Sequence, residues 1–215
     1  MKVNDEPSRP VRRTQAQRTA ESRARLIAAG RSLFAQQPFA EVSTQAIVDA
    51  AGVTRGALYH QFADKAALFE AVYEEVEQEL VADVATHIGA GYAADPLAAM
   101  RTGARLFLQR CGAPEINRIV LINAPAVLGW ERWREIGSRY GLGVIEALLA
   151  QAIADGVVPD QPVRPTAHVM LGALDEAALY ISRAVDQQRA RDEMYAVCDR
   201  LIDGIAGPHS PRADV

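Results

Sequence analysis

The chain has 215 residues and a net charge of −4, with 49% apolar and 23% charged residues. This balance is ordinary for a globular protein and excludes a chain that is disordered throughout. No apolar run approaches the roughly 20 residues that span a bilayer. The N-terminal residues also lack the apolar segment of a secretory signal. We therefore expect a cytoplasmic protein of one large or two small domains, without a membrane partner.

Cysteine and histidine usage argues against metal and disulfide sites. Cys111 and Cys198 are too few for a disulfide framework and are typical of a reducing compartment. The histidines lie far apart and no Cys-x-x-Cys pair is present, so we expect neither a metal site nor a cofactor. Ser/His/Asp and Cys/His catalytic signatures and glycine-rich phosphate loops are absent from the sequence. We therefore do not expect an enzyme.

Charge is distributed unevenly along the chain. Residues 1–65 hold ten Lys or Arg and six Asp or Glu, a net charge of +4, whereas residues 66–215 carry −8. Six arginines fall within residues 9–25 beside a single acid, Glu21. Such a cluster is either a solvated tail or a basic arm that follows phosphates. The polar residues 1–17 are predicted to be a disordered arm.

Apolar residues recur at helical spacing along nearly the whole chain, and strand-like alternation is absent from the sequence. About nine helices are predicted, with starts near residues 19, 44, 55, 65, 96, 115, 130, 166 and 191. Residues 123–125, Asn-Ala-Pro, are expected to end or bend the sixth helix. Residues 156–165, with three prolines, are predicted to be a loop. Residues 207–215 are predicted to be a disordered tail.

Two short predicted helices joined by residues 51–54, Ala-Gly-Val-Thr, form the most informative local pattern. Gly52 permits the positive φ of a tight turn. The second of these helices can lie in a DNA major groove with its N-terminal residues at base edges. The alternative is an ordinary turn in a helical bundle. The expected exposed face is Thr54, Arg55, Gly56, Tyr59 and His60, and the expected buried face is Val53, Leu58 and Phe62.

The stretch AEVSTQAIVDAAGVTRGALYHQFADKAALFEAVYE, within residues 18–73 or so, resembles the DNA-binding domain of TetR/AcrR-type transcriptional regulators. The resemblance implies an all-α protein in which the second and third helices form a helix-turn-helix. It places the DNA-binding domain at residues 18–65 and a helical ligand-binding and dimerisation domain at residues 66–206. Residues 118–149 show a weaker resemblance to a C-terminal domain that recurs in the family. This resemblance does not identify a ligand.

Chemistry and matched position together indicate the DNA contacts. The Thr44 hydroxyl can reach a phosphate or merely cap its helix. Arg55 can bind guanine O6 and N7, or a phosphate. Tyr59 and His60 resemble the family's aromatic pair and are expected at phosphates, with core packing as the alternative for His60. Lys65 adds a cation near the DNA backbone. The full predicted set is Thr44, Thr54, Arg55, Gly56, Tyr59, His60 and Lys65.

The resemblance also implies a ligand pocket in the C-terminal domain. Aromatic residues and methionine would form an adaptable apolar wall, and a few polar groups would orient a small apolar or amphipathic ligand. Ordinary core packing is the alternative for each candidate, and Asn123 can instead bond the backbone freed by Pro125. The candidates are Phe107, Leu121, Asn123, Trp130, Trp133, Tyr140, Met170, Leu174, Glu176 and Tyr180.

A palindromic operator on double-stranded DNA would require a homodimer with recognition helices about one helical turn, ~34–36 Å, apart. The predicted eighth and ninth helices are expected to form the dimer interface, with four helices from two subunits. Small residues on the eighth helix would let a partner helix approach, or would pack within one subunit. The small residues are Gly172, Ala173, Ala177 and Ala184, and Ile181 extends the same face. We expect a homodimeric repressor that a small-molecule ligand releases from its operator. A ligand-dependent activator and an architectural DNA-binding protein without a ligand are the alternatives.

Overall fold

The computed structural model describes residues 14–89 and 94–207, and all regular structure in these ranges is helical. A 3₁₀ turn (Phe39–Glu41) precedes α2, and a π-helical segment (Asn117–Asn123) joins α6 to α7 without a break. Counting α6 to α7 as one helix gives the predicted nine for the described residues. The helices are α1 (Gln15–Gln36), α2 (Thr44–Ala51), α3 (Arg55–Gln61), α4 (Lys65–Ile88), α5 (Pro96–Cys111), α6 (Pro114–Ile116), α7 (Ala124–Leu128), α8 (Trp130–Ala154), α9 (Val163–Arg183) and α10 (Gln187–Ala206).

The first helix begins at Gln15, before the predicted start near Thr19. The Thr14 hydroxyl accepts a hydrogen bond from the Gln17 backbone N–H at 3.2 Å. The Gln17 side chain in turn accepts one from the Thr14 N–H at 2.8 Å. This capping box satisfies N–H groups that a helix start leaves without partners. The predicted disorder was therefore wrong for residues 14–17, and residues 1–13 of the predicted arm lie outside the described residues.

Side-chain caps and one glycine define the helix-turn-helix. Ser43 caps α2 and Thr54 caps α3, each accepting a hydrogen bond from a backbone N–H of the first turn. Asp64 caps α4 in the same way. Gly52 ends α2 with φ 61° and ψ 39°, a left-handed conformation that costs glycine little. The local chemistry of residues 43–64 thus fixes where three helices begin.

An apolar core holds the N-terminal helices together. Leu26 and Phe34 of α1, Ile47 of α2 and Leu58 of α3 are each 0% exposed. Phe69 of α4 closes this core and meets the Phe34 ring edge-on, with centroids 5.1 Å apart. The start of α4 therefore belongs to the DNA-binding domain, while its later turns pack against α5 and α8 in the C-terminal domain.

The helix predicted to end or bend near residues 123–125 continues to Leu128. The N–H of Ala124 bonds to the carbonyl of Ile119, five residues earlier, so the segment before Pro125 is π-helical. Proline lacks an N–H and crowds the carbonyl four residues before it, and the wider π turn relieves both problems. Gly129, with φ 82° and ψ 160°, ends the helix instead.

The last two helices begin earlier than predicted. α9 starts at Val163, so Pro165 lies in its first turn and not in a loop. Proline is tolerated there because the first N–H groups of a helix have no partner in the helix. α10 starts at Gln187, capped by the Asp186 side chain. Most of the predicted tail, residues 208–215, lies outside the described residues.

Five long helices, with α4 contributing its later turns, form most of the C-terminal domain, and α6, α7 and the π-helical segment between them complete it. α8 packs on α9, α9 on α10, and α10 on α5, with α4 against α5 and α8. In the ranges that the structure covers, every helix is too short or too polar to cross a bilayer.

Candidate nucleic-acid interface and internal cavity

The exposed and buried sides of α3 are those that the sequence predicted. Thr54, Arg55, Gly56, Tyr59 and His60 are all exposed. On the opposite side Leu58 is 0% and Phe62 4% exposed, which confirms Phe62 as a core residue. Val53 is half-buried. The polar face of α3 is therefore free to meet a partner.

Three of the predicted DNA-contact side chains are neighbours. The Arg55 guanidinium lies 5.7 Å from the centre of the Tyr59 ring. Hydrogen bonding with the Arg55 and Thr44 side chains lowers the pKa of Tyr59. Because Ser43 caps α2, the Thr44 hydroxyl is not needed as a cap. We call the group Thr44, Thr54, Arg55, Gly56, Tyr59 and His60 the α3 surface.

Gly56 is not required by packing within the protein. A Cβ at this position would meet only the Thr54 Oγ1 atom, at 3.8 Å, which is ordinary contact. Glycine in a helix interior nevertheless costs roughly 1 kcal/mol relative to alanine. Packing within the protein therefore does not require this glycine, and close approach of another backbone at Gly56 stays a prediction.

Lys65 has a role that sequence reasoning missed. Its Nζ donates hydrogen bonds to the carbonyl oxygens of Phe39 at 2.7 Å and Val42 at 2.8 Å. It also lies 4.1 Å from the centre of the Phe39 ring, and burial lowers its pKa. Lys65 thus ties the start of α4 to the segment before α2. A phosphate contact through its remaining N–H stays a prediction.

Two arginines of the predicted basic arm also hold the helix-turn-helix. Arg25 donates to the carbonyl of Gly52 at 3.4 Å, at the end of α2. Arg23 donates to the carbonyl of Gln61 at 3.5 Å and lies 4.4 Å from the centre of the Phe62 ring. Both satisfy carbonyls that helix ends leave without partners. The sequence places both arginines on α1, but it does not show that they reach the ends of α2 and α3.

A cavity of about 230 Å³ lies among α4, α5, α8, α9 and α10, and its wall is almost wholly apolar. Three of the predicted ligand residues, Phe107, Met170 and Leu174, line it. Sequence reasoning missed most of the other lining residues because all of them except Glu77 look like ordinary core positions. These include Glu77, Val81, Val84, Ile88, Met100, Ala104, Val144, Leu148, Cys198 and Ile202.

A second cavity of about 10 Å³ adjoins the first and shares Phe107 and Glu77 with it. The predicted ligand residues Leu121 and Trp133 line this small cavity and not the large one. Trp133 is 3% exposed, and no protein group accepts a hydrogen bond from its Nε1. A space of this size holds about one water molecule.

Five other predicted ligand residues line neither cavity. Asn123 is buried, and its Nδ2 donates to the carbonyl of Phe34 at 3.4 Å, so it ties the π-helical segment to α1 and does not bond the backbone near Pro125. Tyr140 packs against the core. The side chains of Trp130, Glu176 and Tyr180 are exposed. These five positions thus lie outside both cavity walls, because sequence spacing does not show which helix faces enclose the space.

The predicted dimer residues also need correction. Ala177 and Ile181 are only 4% and 3% exposed within a single chain, so their side chains are not available to a second copy. Ala173 lines the large cavity. A Cβ on Gly172 would lie 3.5 Å from the Arg134 guanidinium, and Ala184 packs against the core. The small residues of α9 thus serve packing within one subunit.

Among the described residues that line the large cavity, Glu77 is the one acidic or basic residue, and its side chain is 6% exposed. Burial, with the neighbouring Asp175 carboxylate, raises the pKa of Glu77 to about 8. Asp175 forms an ion pair with Arg134, and burial raises its pKa to about 6. The Tyr73 hydroxyl donates to the carbonyl of Trp133 at 3.2 Å. The described residues contain no cluster of His, Cys, Asp or Glu that could hold a metal ion.

Two family models match consecutive parts of the chain. Residues 26–72 match the model for bacterial regulatory proteins of the tetR family. Residues 97–205, more than half of the chain, match the tetracyclin repressor-like C-terminal domain. The HTH-type transcriptional regulator AcrR of Shigella flexneri is 28% identical over 209 residues, covering 88% of this chain and 96% of AcrR.

Solved structures agree with these matches over nearly the whole length. A TetR-family transcriptional regulator from Pectobacterium atrosepticum is 31% identical with a TM-score of 0.79, covering 91% of this chain and 99% of that one. RolR in complex with resorcinol has a TM-score of 0.66 at 19% identity, covering 93% of this chain and all of RolR, and shares the fold. The chain belongs to the TetR family and is a DNA-binding transcriptional regulator with an N-terminal helix-turn-helix domain and a C-terminal helical domain.

Proposed function

We propose that this regulator is a homodimeric repressor that binds a palindromic operator through the α3 surface and is released by a small molecule in the large cavity. One observation carries the proposal: a single helix, α4, connects the two sites. It begins beside the α3 surface at Lys65, and its later turns contribute Glu77, Val81 and Val84 to the cavity wall. A ligand that favours another position of α4 therefore moves the recognition helix.

The α3 surface supplies the two kinds of contact that operator recognition needs. Arg55, in the first turn of α3, has the planar donor pair that matches guanine O6 and N7. The hydroxyls of Thr44 and Tyr59 suit phosphate oxygens, as do Thr54 and His60 beside them. The first 65 residues carry a net charge of +4, which attracts the phosphate backbone.

The dimer would form through α9 and α10, the two helices that the sequence predicts for it, but through other side chains than the predicted ones. Val169 is 73% and Tyr180 49% exposed on α9, and Val197 is 37% and Leu201 50% exposed on α10. Val169 and Leu201 also line the large cavity, so this face adjoins the cavity. Val169 and Tyr180 lie eleven residues apart, and Val197 and Leu201 four, so each pair lies along one side of its helix. A second copy that covers these four side chains would remove apolar surface from water.

Ligand release requires that the molecule bind one conformation better than the other. Typical couplings between two such sites are about 1–3 kcal/mol. RolR, which has the same fold, has been solved with resorcinol bound, which supports a cavity in this fold as a place for a small molecule. A ligand that binds better to the conformation in which the two recognition helices have the wrong spacing would favour that conformation. The dimer would then leave its operator.

The experiment that tests the proposal is selection of operator DNA from a randomised duplex library at two salt concentrations. We expect a palindrome that persists at the higher salt. Retention without sequence preference that collapses with salt would contradict operator recognition and favour an architectural protein. The oligomeric state is measured on the same sample by light scattering. Transcription from the neighbouring promoters in a deletion strain distinguishes repression, where it rises, from activation, where it falls.

A cavity-filling variant is the matched control for ligand release. Ala104 lines the cavity and is 5% exposed, so Ala104→Phe reduces the space without touching the α3 surface. This variant should select the same palindrome and lose its response to ligand. Equal ligand response in wild type and A104F would exclude the large cavity as the ligand site.

A further inference from the structure

The inner wall of the large cavity contains a carboxyl group that the fold does not use. Glu77 lies in the middle of α4 and is only 6% exposed. It lines both the large and the small cavity. Its Oε2 atom is buried and has no hydrogen-bond partner in the protein. A buried polar group without a partner costs free energy, and such groups in native proteins call for an explanation.

The charged and hydroxyl groups near Glu77 are engaged elsewhere, whereas the Trp133 Nε1 atom in the small cavity also has no hydrogen-bond partner in the protein. The Tyr73 hydroxyl, on the same helix, donates to the carbonyl of Trp133 on α8. Arg134 of α8 is paired with Asp175 of α9, so its charge is already balanced. The Cys111 thiol of α5 also faces this region, and burial raises its pKa well above the ordinary value. None of these side chains is hydrogen-bonded to the Glu77 Oε2 atom, so this atom is available to a ligand.

Space is left beside the carboxyl group. A Cβ added at Gly137 would come within 3.7 Å of the Glu77 Oε1 atom and 3.8 Å of the Tyr73 hydroxyl. Gly137 lines the small cavity and not the large one, so the absence of a side chain there leaves the small cavity open beside the carboxyl. The rest of the large cavity's wall, formed by Phe107, Met170 and Leu174 among others, offers only apolar contacts.

The local charges decide which ligand class fits. Burial, and after it the Asp175 carboxylate, raises the pKa of Glu77, so the site disfavours a further negative charge. A cationic ligand would need Glu77 to ionise in an apolar cavity, and the desolvation of both charges opposes such a pair. Glu77 is protonated at neutral pH, because its pKa is about 8. A neutral carboxyl group both donates and accepts hydrogen bonds.

The volume limits the size of the ligand. A cavity of about 230 Å³ is smaller than the roughly 300–1,000 Å³ of sites for drug-sized molecules. A molecule of one or two rings, or a short aliphatic chain, fits this space.

We propose that Glu77 is the polar anchor of the cavity and that its ligand is an uncharged, largely apolar molecule whose hydroxyl group hydrogen-bonds to the Glu77 carboxyl. This inference rests on the proposed function, because it specifies the ligand of the same cavity. The apolar body of the molecule would contact Phe107, Met170 and Leu174, and selectivity for the hydroxyl would come from a single side chain.

The test uses the full-length protein and four probes on one skeleton: 2-naphthol, naphthalene, 2-naphthoate and 2-naphthylmethylammonium. Dissociation constants are measured by calorimetry at pH 7 for wild type, Glu77→Gln and Glu77→Leu. We expect wild type to bind 2-naphthol about tenfold more tightly than naphthalene, as one hydrogen bond in apolar surroundings allows, and both ions more weakly. E77Q should keep the preference for the alcohol, and E77L should bind 2-naphthol and naphthalene equally.

Glu146→Gln is the matched control, because Glu146 lies on α8 and lines neither cavity. It should leave all four affinities unchanged. If E77L does not fold, infrared difference spectra of wild type and E77Q, with and without probe, provide the test. The carbonyl band of a protonated carboxyl that E77Q lacks should shift on addition of 2-naphthol and stay unchanged with naphthalene.

Three outcomes would overturn the inference. In the first, E77L keeps the preference for 2-naphthol. In the second, wild type binds the ammonium probe best and E77Q loses it, which would show that Glu77 acts as an anion. In the third, wild type binds none of the four probes. Failure of the proposed function looks different: 2-naphthol binds with the expected dependence on Glu77, but operator DNA is not released.

Discussion

The Arg31 Nε atom on α1 lies 2.6 Å from the Glu115 Oε1 atom in α6, so an ion pair joins the DNA-binding domain to the C-terminal domain. Arg31 also pairs with Glu79 of α4 at 2.7 Å, and these two carboxylates raise its pKa. The arginine is half-buried while both acids are more exposed, so solvent screens part of the interaction.

Arg31→Gln should therefore weaken the connection between the domains. We expect a loss of about 1 kcal/mol in the free energy of unfolding and a reduced ratio of operator dissociation constants with and without 2-naphthol. Urea denaturation and DNA titrations measure the two effects. Arg189→Gln is the control, because Arg189 pairs with Glu193 four residues along the exposed side of α10. Equal behaviour of the two variants would exclude a coupling role for Arg31.

Arg55 and Lys65 should differ in how their removal affects DNA binding. Arg55→Ala should relax sequence selectivity, at about 1–3 kcal/mol for the base that it contacts. Selection from a randomised library with each variant measures this. Unchanged specificity in R55A would refute a base contact.

Lys65→Met should weaken binding to all DNA sequences to a similar extent. It removes two hydrogen bonds to Phe39 and Val42, so the DNA-binding domain should also lose about 1–3 kcal/mol of stability. The salt dependence of operator binding separates the two effects. A slope reduced by about one indicates a lost phosphate contact, whereas an unchanged slope indicates that Lys65 acts only by holding the segment before α2.

Two glycines of the helix-turn-helix should respond in opposite ways to alanine. Gly52 has φ 61°, so Gly52→Ala should cost about 1 kcal/mol of stability. Gly56 is in regular helix with room for a Cβ, so Gly56→Ala should gain up to about 1 kcal/mol. We expect G56A to bind operator more weakly in spite of this gain, because the methyl group would stand between α3 and the DNA. Operator affinity equal to wild type in G56A would argue against close approach at this position.

The buried Glu77 should make stability depend on pH. Its pKa is about 8 in the folded chain against an ordinary 4.5. Between these values the unfolded chain releases the proton and the folded chain keeps it, so stability falls as the pH rises. E77Q lacks this titration. Its free energy of unfolding relative to wild type should increase by up to about 1.4 kcal/mol per pH unit between about pH 5 and 8. Urea denaturation at several pH values tests this, and a constant difference would contradict it.

Asn123 should contribute to stability and not to ligand binding. Asn123→Ala removes the hydrogen bond to the Phe34 carbonyl and should cost about 1–3 kcal/mol. Met170→Ala, in the cavity wall, should instead weaken binding of 2-naphthol. Denaturation and calorimetry on both variants measure the contrast. A loss of probe affinity in a folded N123A protein would return Asn123 to the ligand site.

Local sequence signals located the helices of the DNA-binding domain well. The caps at Thr54 and Asp64 and the glycine at position 52 act on the nearest turn of backbone, so their effect can be deduced without knowing the fold. Helix starts at Gln15 and Val163 were missed because polar residues before an apolar stripe extend a helix without altering the periodic pattern.

The sequence by itself determined the helical class, the helix-turn-helix and the exposed polar face of α3, because capping, turn formation and amphipathic spacing operate within a few residues. Only the tertiary structure decided that Lys65 binds carbonyls 23 and 26 residues before it, that Ala177 and Ile181 are covered inside one chain, and that Glu77 faces a cavity. Each of these facts depends on which faces of distant helices oppose one another. One helix can carry more than one apolar face that could pack against a neighbour. The packing of the whole chain decides which of these faces is buried.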